Sequence, residues 1–165
     1  MVSDRAKWAL IIVQEAGHVE GLTRLHKYAF LIAKRVKGIT NAGFYNDWKA
    51  SDYGPFSPEL ANDINEAIGL HLLKQTESPN QYGYKVGLLI PTENVKTLTD
   101  DIRTTYSKYV NEIHKIVQMY QNKKLIDILH DVYALYPEFA INSKIRAQVG
   151  KNIYESDSWL NQDYD

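Results

Sequence analysis

The stretch that most constrains this chain is Ser57-Pro58-Glu59-Leu60 and the apolar pattern behind it. A serine just before a periodic apolar run is a helix N-cap, because its hydroxyl accepts from an orphan backbone N–H of the first turn. Pro58 follows where a missing N–H costs nothing and a fixed φ suits the helix. Glu59 then meets the positive end of the helix dipole. Leu60, Ile64 and Ile68, flanked by Ala61 and Ala67, recur at helical spacing. Gly69 predicts a left-handed C-cap. An extended run begins at Leu70, Leu72 and Leu73, turns at Ser78-Pro79-Asn80-Gln81 and returns from Tyr82 to Ile90. A capped helix therefore leads into a two-stranded ribbon.

Upstream lie two more helices. Asp4 to Ala16 carries Trp8, Ile11 and Ile12 and stops at Gly17. Leu22 to Val36 carries Leu25, Tyr28, Ala29, Leu31 and Ile32, with Thr23 as candidate cap and Gly38 beyond its end. Residues 39–54 are the least regular part, and Phe44 to Lys49 reads as a short edge strand or an extended loop. Helix, helix, helix and ribbon is the element order of a winged helix-turn-helix, which we assign to residues 1–91.

From Pro91 the pattern changes. Val95, Leu98, Ile102, Thr105, Tyr109, Ile113, Ile116 and Tyr120 step by three or four residues, a seam of more than three heptads. Thr92 is placed to cap it. One helix of roughly 28 residues would be about 40 Å long at 1.5 Å per residue. Something must cover its seam, either Leu125 to Tyr136 of the same chain or a second copy. A dimer would use Leu98, Ile102, Tyr109, Ile113, Ile116 and Tyr120. After the polar break Asn122-Lys123-Lys124, another amphipathic helix runs to Pro137, and Ala140 to Val149 predicts a short one. The expected architecture is mainly α with a small β-wing: a winged helix at 1–91, a helical extension with one long helix at 92–150, and an acidic tail at 151–165.

Charge narrows the function. The net charge is −1, so the whole chain carries no electrostatic signature of nucleic-acid binding. Residues 1–90 hold 10 Lys/Arg against 9 Asp/Glu, residues 91–154 hold 9 against 7, and residues 155–165 hold 0 against 4. There is no cysteine, which excludes disulfides, thiolate metal sites and cysteine nucleophiles. The five histidines include no His-Glu-x-x-His and no i, i+4 pair. Asp127, His130 and Asp131 share a helix face, an arrangement more common on solvated surfaces than in active sites. No nucleophile elbow, phosphate loop or dinucleotide fingerprint is present. We expect no enzyme, no metal and no cofactor. Trp8 to Val13 is too short to span a membrane, which predicts a soluble cytoplasmic protein.

Two segments resemble a family. Gly21-Leu22-Thr23-Arg24-Leu25-His26-Lys27 resembles the Gly-x-Thr-x-Leu-x-Lys pattern of a group of bacterial and archaeal winged-helix proteins. Tyr53-Gly54-Pro55-Phe56-Ser57-Pro58-Glu59-Leu60 resembles their Tyr-Gly-Pro-x-Ser-x-x-Leu element, shared with the related Panacea (antitoxin-like) domains. The resemblance covers residues 4–90 and, loosely, the rest. It implies a winged helix whose role is either transcriptional regulation or neutralisation of a partner protein. The expected dimer is similar in architecture to PadR-type regulators.

A winged helix reads DNA with its third helix, using Arg, Lys, Asn or Gln on base edges. Here that helix offers Asn62 and Asn65, but also Glu59, Asp63 and Glu66, and no Lys or Arg. The basic residues lie elsewhere: Arg24, Lys27, Lys34, Arg35 and Lys37 on or just past the second helix, joined by Lys49, Lys74 and Lys85. Such a face is a solvated surface, a phosphate contact or a partner-protein contact. The leading expectation is a dimeric regulator contacting double-stranded DNA through Arg24, Lys27, Lys34, Arg35, Lys37, Asn62, Asn65 and Lys85. The alternative is an antitoxin-like protein-interaction module.

Overall fold

Six consecutive apolar residues, Trp8 to Val13, leave the first helix without a polar face over that stretch, and such a helix belongs at the centre of a core. The computed structural model of the chain describes residues 2–79 and 85–140. In it α1 (Asp4–Ala16) is the central helix, with Trp8 to Val13 all buried. Ser3 caps it by accepting from Ala6 N at 3.1 Å, and Gly17 ends it at φ 82°. Strand β1 (Val19–Glu20) and α2 (Leu22–Arg35) follow. The chain then forms a 3₁₀ turn (Ile39–Ala42), the hairpin β2 (Lys49–Ser51) and β3 (Gly54–Phe56), and α3 (Pro58–Gly69). Strands β4 (Leu73–Pro79) and β5 (Lys85–Pro91) pair antiparallel, and β1 adds to the free side of β5, giving the order β1-β5-β4. The described residues are thus mainly helical with a small antiparallel sheet, as the sequence predicts.

The start of α3 forms as the residues dictate. Ser57 accepts from Leu60 N at 3.0 Å and Pro58 opens the first turn. The sequence reading missed a second cap. Asp47, ten residues upstream, accepts from Glu59 N at 3.0 Å and from the Ser57 hydroxyl. The far end differs from expectation. Leu72 N donates to Ala67 O at 2.9 Å and His71 N to Ile68 O at 3.1 Å, a Schellman closure. Its left-handed residue is His71 at φ 59°, not Gly69. Thr23 is also no cap: α2 starts after Gly21 (φ 95°), and Thr23 is buried inside the helix.

The long helix is the main correction. Residues 93–120 form a 3₁₀ turn (Glu93–Val95), a short α4 (Asp100–Thr105) and α5 (Ser107–Tyr120). The break falls at Tyr106, with φ −122° and ψ 39°. Thr97 and Thr99 before α4 and Thr104 and Thr105 in its last turn weaken helix propensity, and the Tyr106 ring is held 5.6 Å from that of Trp8. Thr92 donates its hydroxyl to His71 O at 2.6 Å instead of capping a long helix.

The seam packs inward, because α5 lies on α1 and α2. Ile102, Ile113, Ile116 and Tyr120 are buried in the chain's own core, and Leu98 and Tyr109 pack half-buried against it. Polar contacts fix this docking: Thr99 donates to Gln14 Oε1 at 2.9 Å, and Arg103 bonds Glu15 Oε2 at 2.8 Å. The residues expected to hold a second copy are therefore spent within one chain. Helix α6 (Leu125–Leu135) packs on α2 and β3. One core cluster runs from Trp8 to Tyr133, so packing does not break at residue 91. The helix expected at 140–149 and the tail at 151–165 lie outside the described residues, apart from Ala140, as do Asn80 and Gln81 of the expected turn and residues 82–84 of the expected second strand.

Candidate nucleic-acid interface

The residues expected to meet DNA fall into three groups. Two of them, Arg24 and Lys27, point inward. Lys27 is fully buried, and its Nζ donates to Pro55 O at 2.7 Å. Burial holds its pKa well below the ordinary lysine range. Arg24 is 5 % exposed and donates to Lys123 O at 2.8 Å. Neither presents its charge to a phosphate. Both satisfy backbone carbonyls that the α2–α5 and α2–β3 contacts take out of water.

This inward arrangement joins the two segments that carry the family resemblance. Lys27 reaches Pro55, and a Cβ on Gly54 would stand 3.2 Å from Lys27 Cε and 3.1 Å from Leu129 Cδ2. A side chain there would press on both, and the Gly54 φ of 92° would strain any other residue. His26 stacks on Phe56 at 4.8 Å, with Nδ1 2.9 Å from Leu22 O and Nε2 3.2 Å from Ser57 O. Trp48 meets Phe30 edge-on at 5.4 Å and donates to Tyr45 O at 3.2 Å. The Gly-x-Thr-x-Leu-x-Lys and Tyr-Gly-Pro-x-Ser segments thus form one internal clip.

The clip makes stability depend on pH. Burial, assisted by the Lys27 charge, pushes His26 down to about 4. The unfolded imidazole titrates near 6.5. Between those values the unfolded chain takes a proton that the folded chain refuses, so stability falls as pH drops from about 6.5 to 4. At 1.36 kcal/mol per pKa unit, His26 accounts for a loss of about 3 kcal/mol. Denaturant midpoints at pH 7.5 and 4.5 should show this loss. His26→Gln should shrink the difference between the two midpoints, and an unchanged difference would assign the pH dependence to other groups.

The second group stands on α3. Asn62, Asn65, Glu66 and Gly69 form one exposed stripe, opposite buried Leu60, Asp63, Ile64 and Ala67. The three carboxylates of this helix are not equivalent. Asp63 is buried, accepting from Tyr45 Oη at 2.7 Å and from Arg5 Nε at 3.1 Å. Burial and the neighbouring Asp63 carboxylate push the Tyr45 hydroxyl pKa up, so it stays a donor. Glu59 also bonds Arg5, through Nη1. Glu66 alone faces solvent in no ion pair among the described residues. Lys74 on β4 and Lys85 on β5 are exposed, and β4 packs on α3. Lys49 is exposed on β2.

The third group, Lys34, Arg35 and Lys37, is exposed at the end of α2. Lys34 Nζ lies 5.6 Å from the Phe30 ring centre and 5.9 Å from that of Tyr136. The Arg35 guanidinium covers Tyr120 at 5.5 Å. Arg35 and Lys37 border a groove whose other wall is α4 and α5, whereas α3 packs on α1 and β4. The structure therefore does not join this group to Asn62 and Asn65.

Among the described residues no three His, Asp or Glu side chains are placed to hold a metal ion. No described helix is long and apolar enough to cross a membrane. Comparison with protein-family models, curated proteins and solved structures found no match to this chain.

Proposed function

We propose that this protein is a winged-helix DNA-binding protein, acting in transcriptional regulation, that contacts duplex DNA through α3 and the β4–β5 hairpin. The fold reading rests on the order α1-β1-α2-β2-β3-α3-β4-β5, a winged-helix order with the β2–β3 hairpin set between the second and third helices, and on the sheet order β1-β5-β4. The observation that carries the functional reading is the partial charge compensation of α3, where one guanidinium is shared by two of its three carboxylates. Arg5 takes up Glu59 and Asp63, leaving a stripe of Asn62, Asn65 and a single free carboxylate beside a lysine-bearing hairpin. Asparagine can bond adenine in two places, and hairpin lysines can hold phosphates. The intramolecular seam supports a single-copy binder over a dimer built on α5.

Two variants separate the roles. Lys74→Ala/Lys85→Ala should weaken binding to all duplexes and reduce the log–log salt slope by about 2. Asn62→Ala/Asn65→Ala should leave the slope unchanged and erase preference among duplex sequences. Fluorescence anisotropy reads both, and binding that neither pair alters would place the contact elsewhere.

The second reading, a neutralising module for a partner protein, is favoured by exposed apolar side chains. Met119 and Leu135 are each 54 % exposed and Leu70 is 47 % exposed. A stoichiometric protein partner recovered from native extract, lost on Met119→Lys or Leu135→Lys, would favour this reading.

A further inference from the structure

Among the described residues, a groove lies between the end of α2 and the α4–α5 break. It encloses about 570 Å³, within the size range of small-molecule sites. Arg35 and Lys37 border it on one side and Lys108 on the other. Among the described residues none of these three cations has a carboxylate partner. The one carboxylate in the lining, Glu112, already has Lys115 Nζ at 3.3 Å. Lys37 and Lys108, on opposite sides of a concave surface, favour an anion there, whereas the Arg35 guanidinium is turned to Tyr120.

The groove also offers ring surface. Tyr106 and Tyr109 line it, stacked at 5.8 Å and 16°. Gly38, at φ 91°, makes room for Tyr109: a Cβ there would sit 2.7 Å from the Tyr109 hydroxyl. Phosphate-binding cations beside aromatic rings in a pocket of this volume match a charged group joined to a flat one.

We propose that this groove binds a nucleotide, its phosphates held by Lys37 and Lys108 and its base against Tyr109. The site is separate from α3 and the hairpin, so it stands whether or not those elements contact DNA.

Titration calorimetry of the whole chain at about 50 mM salt, with pyrophosphate and with ATP as probes, tests this. Both should bind, ATP at least tenfold more tightly because of its base. Lys37→Ala/Lys108→Ala should lower the ATP affinity at least tenfold. Both side chains are exposed, so the circular dichroism spectrum should not change. Absence of binding, or binding that the double variant leaves intact, would overturn the proposal. ATP binding no more tightly than pyrophosphate would overturn the nucleotide assignment. Displacement of ATP by a short DNA duplex would overturn it too, by giving the groove to the nucleic-acid backbone.

Discussion

Ile113→Asp should prevent the chain from folding, not convert a dimer into monomers. Ile113 has no exposed surface and sits where α5 packs on α1 and α2. A carboxylate there would lose its hydration with no cation placed to receive it. An uncompensated buried charge costs about 3–5 kcal/mol, a large share of the 5–15 kcal/mol that holds a typical domain together. Circular dichroism and light scattering should show loss of cooperative melting, with a soluble wild type of monomer mass. Leu98→Asp, at a half-buried position of the same seam, should cost less. A dimeric wild type with a well-folded monomeric Ile113→Asp would return the seam to an interface between subunits.

Asp63→Ala should be the most damaging polar substitution in the fold. Its carboxylate ties together Tyr45 from the 36–53 connection, Arg5 from α1 and α3 itself. Removal strands the buried Tyr45 hydroxyl and leaves Arg5 only Glu59. The expected loss is about 3 kcal/mol. Tyr45→Phe removes one hydrogen bond but leaves Asp63 with Arg5, and should cost about 1 kcal/mol. Urea midpoints of the two single variants and the double variant measure the coupling. Strict additivity would mean that Asp63 and Tyr45 do not act on each other. Arg5→Ala extends the test to function. It frees Glu59 and Asp63 to repel phosphate, and should weaken duplex binding without touching any proposed DNA contact.

Local rules located most elements because local chemistry forms them. Ser57 and Pro58 start α3, Gly17 stops α1, and Pro137 follows the end of α6. Apart from the caps at Gly69 and Thr23, the errors came from contacts distant in sequence. The steps of three and four from Val95 to Tyr120 are compatible with one long helix or with two short ones meeting at Tyr106. The choice depends on Trp8, nearly a hundred residues away. Lys27 carries a formal charge in any sequence count, yet its place on α2 aims it at Pro55. Asp63 and Glu59 read from the sequence as unpaired charges, whereas the fold brings Arg5, over fifty residues upstream, beside both. One signal was readable and went unused. The unbroken run Trp8 to Val13 marks a central helix, which needs neighbours on every side, and α4 and α5 supply part of that cover.

The most direct test of the proposed function is anisotropy of a labelled generic duplex titrated with the wild-type protein at about 50 and 200 mM salt. Binding in the micromolar range at the lower salt, weakening steeply at the higher, is the predicted result. No binding at the lower salt would contradict DNA contact through α3 and the hairpin, and would leave the exposed apolar residues and a protein partner as the reading to pursue.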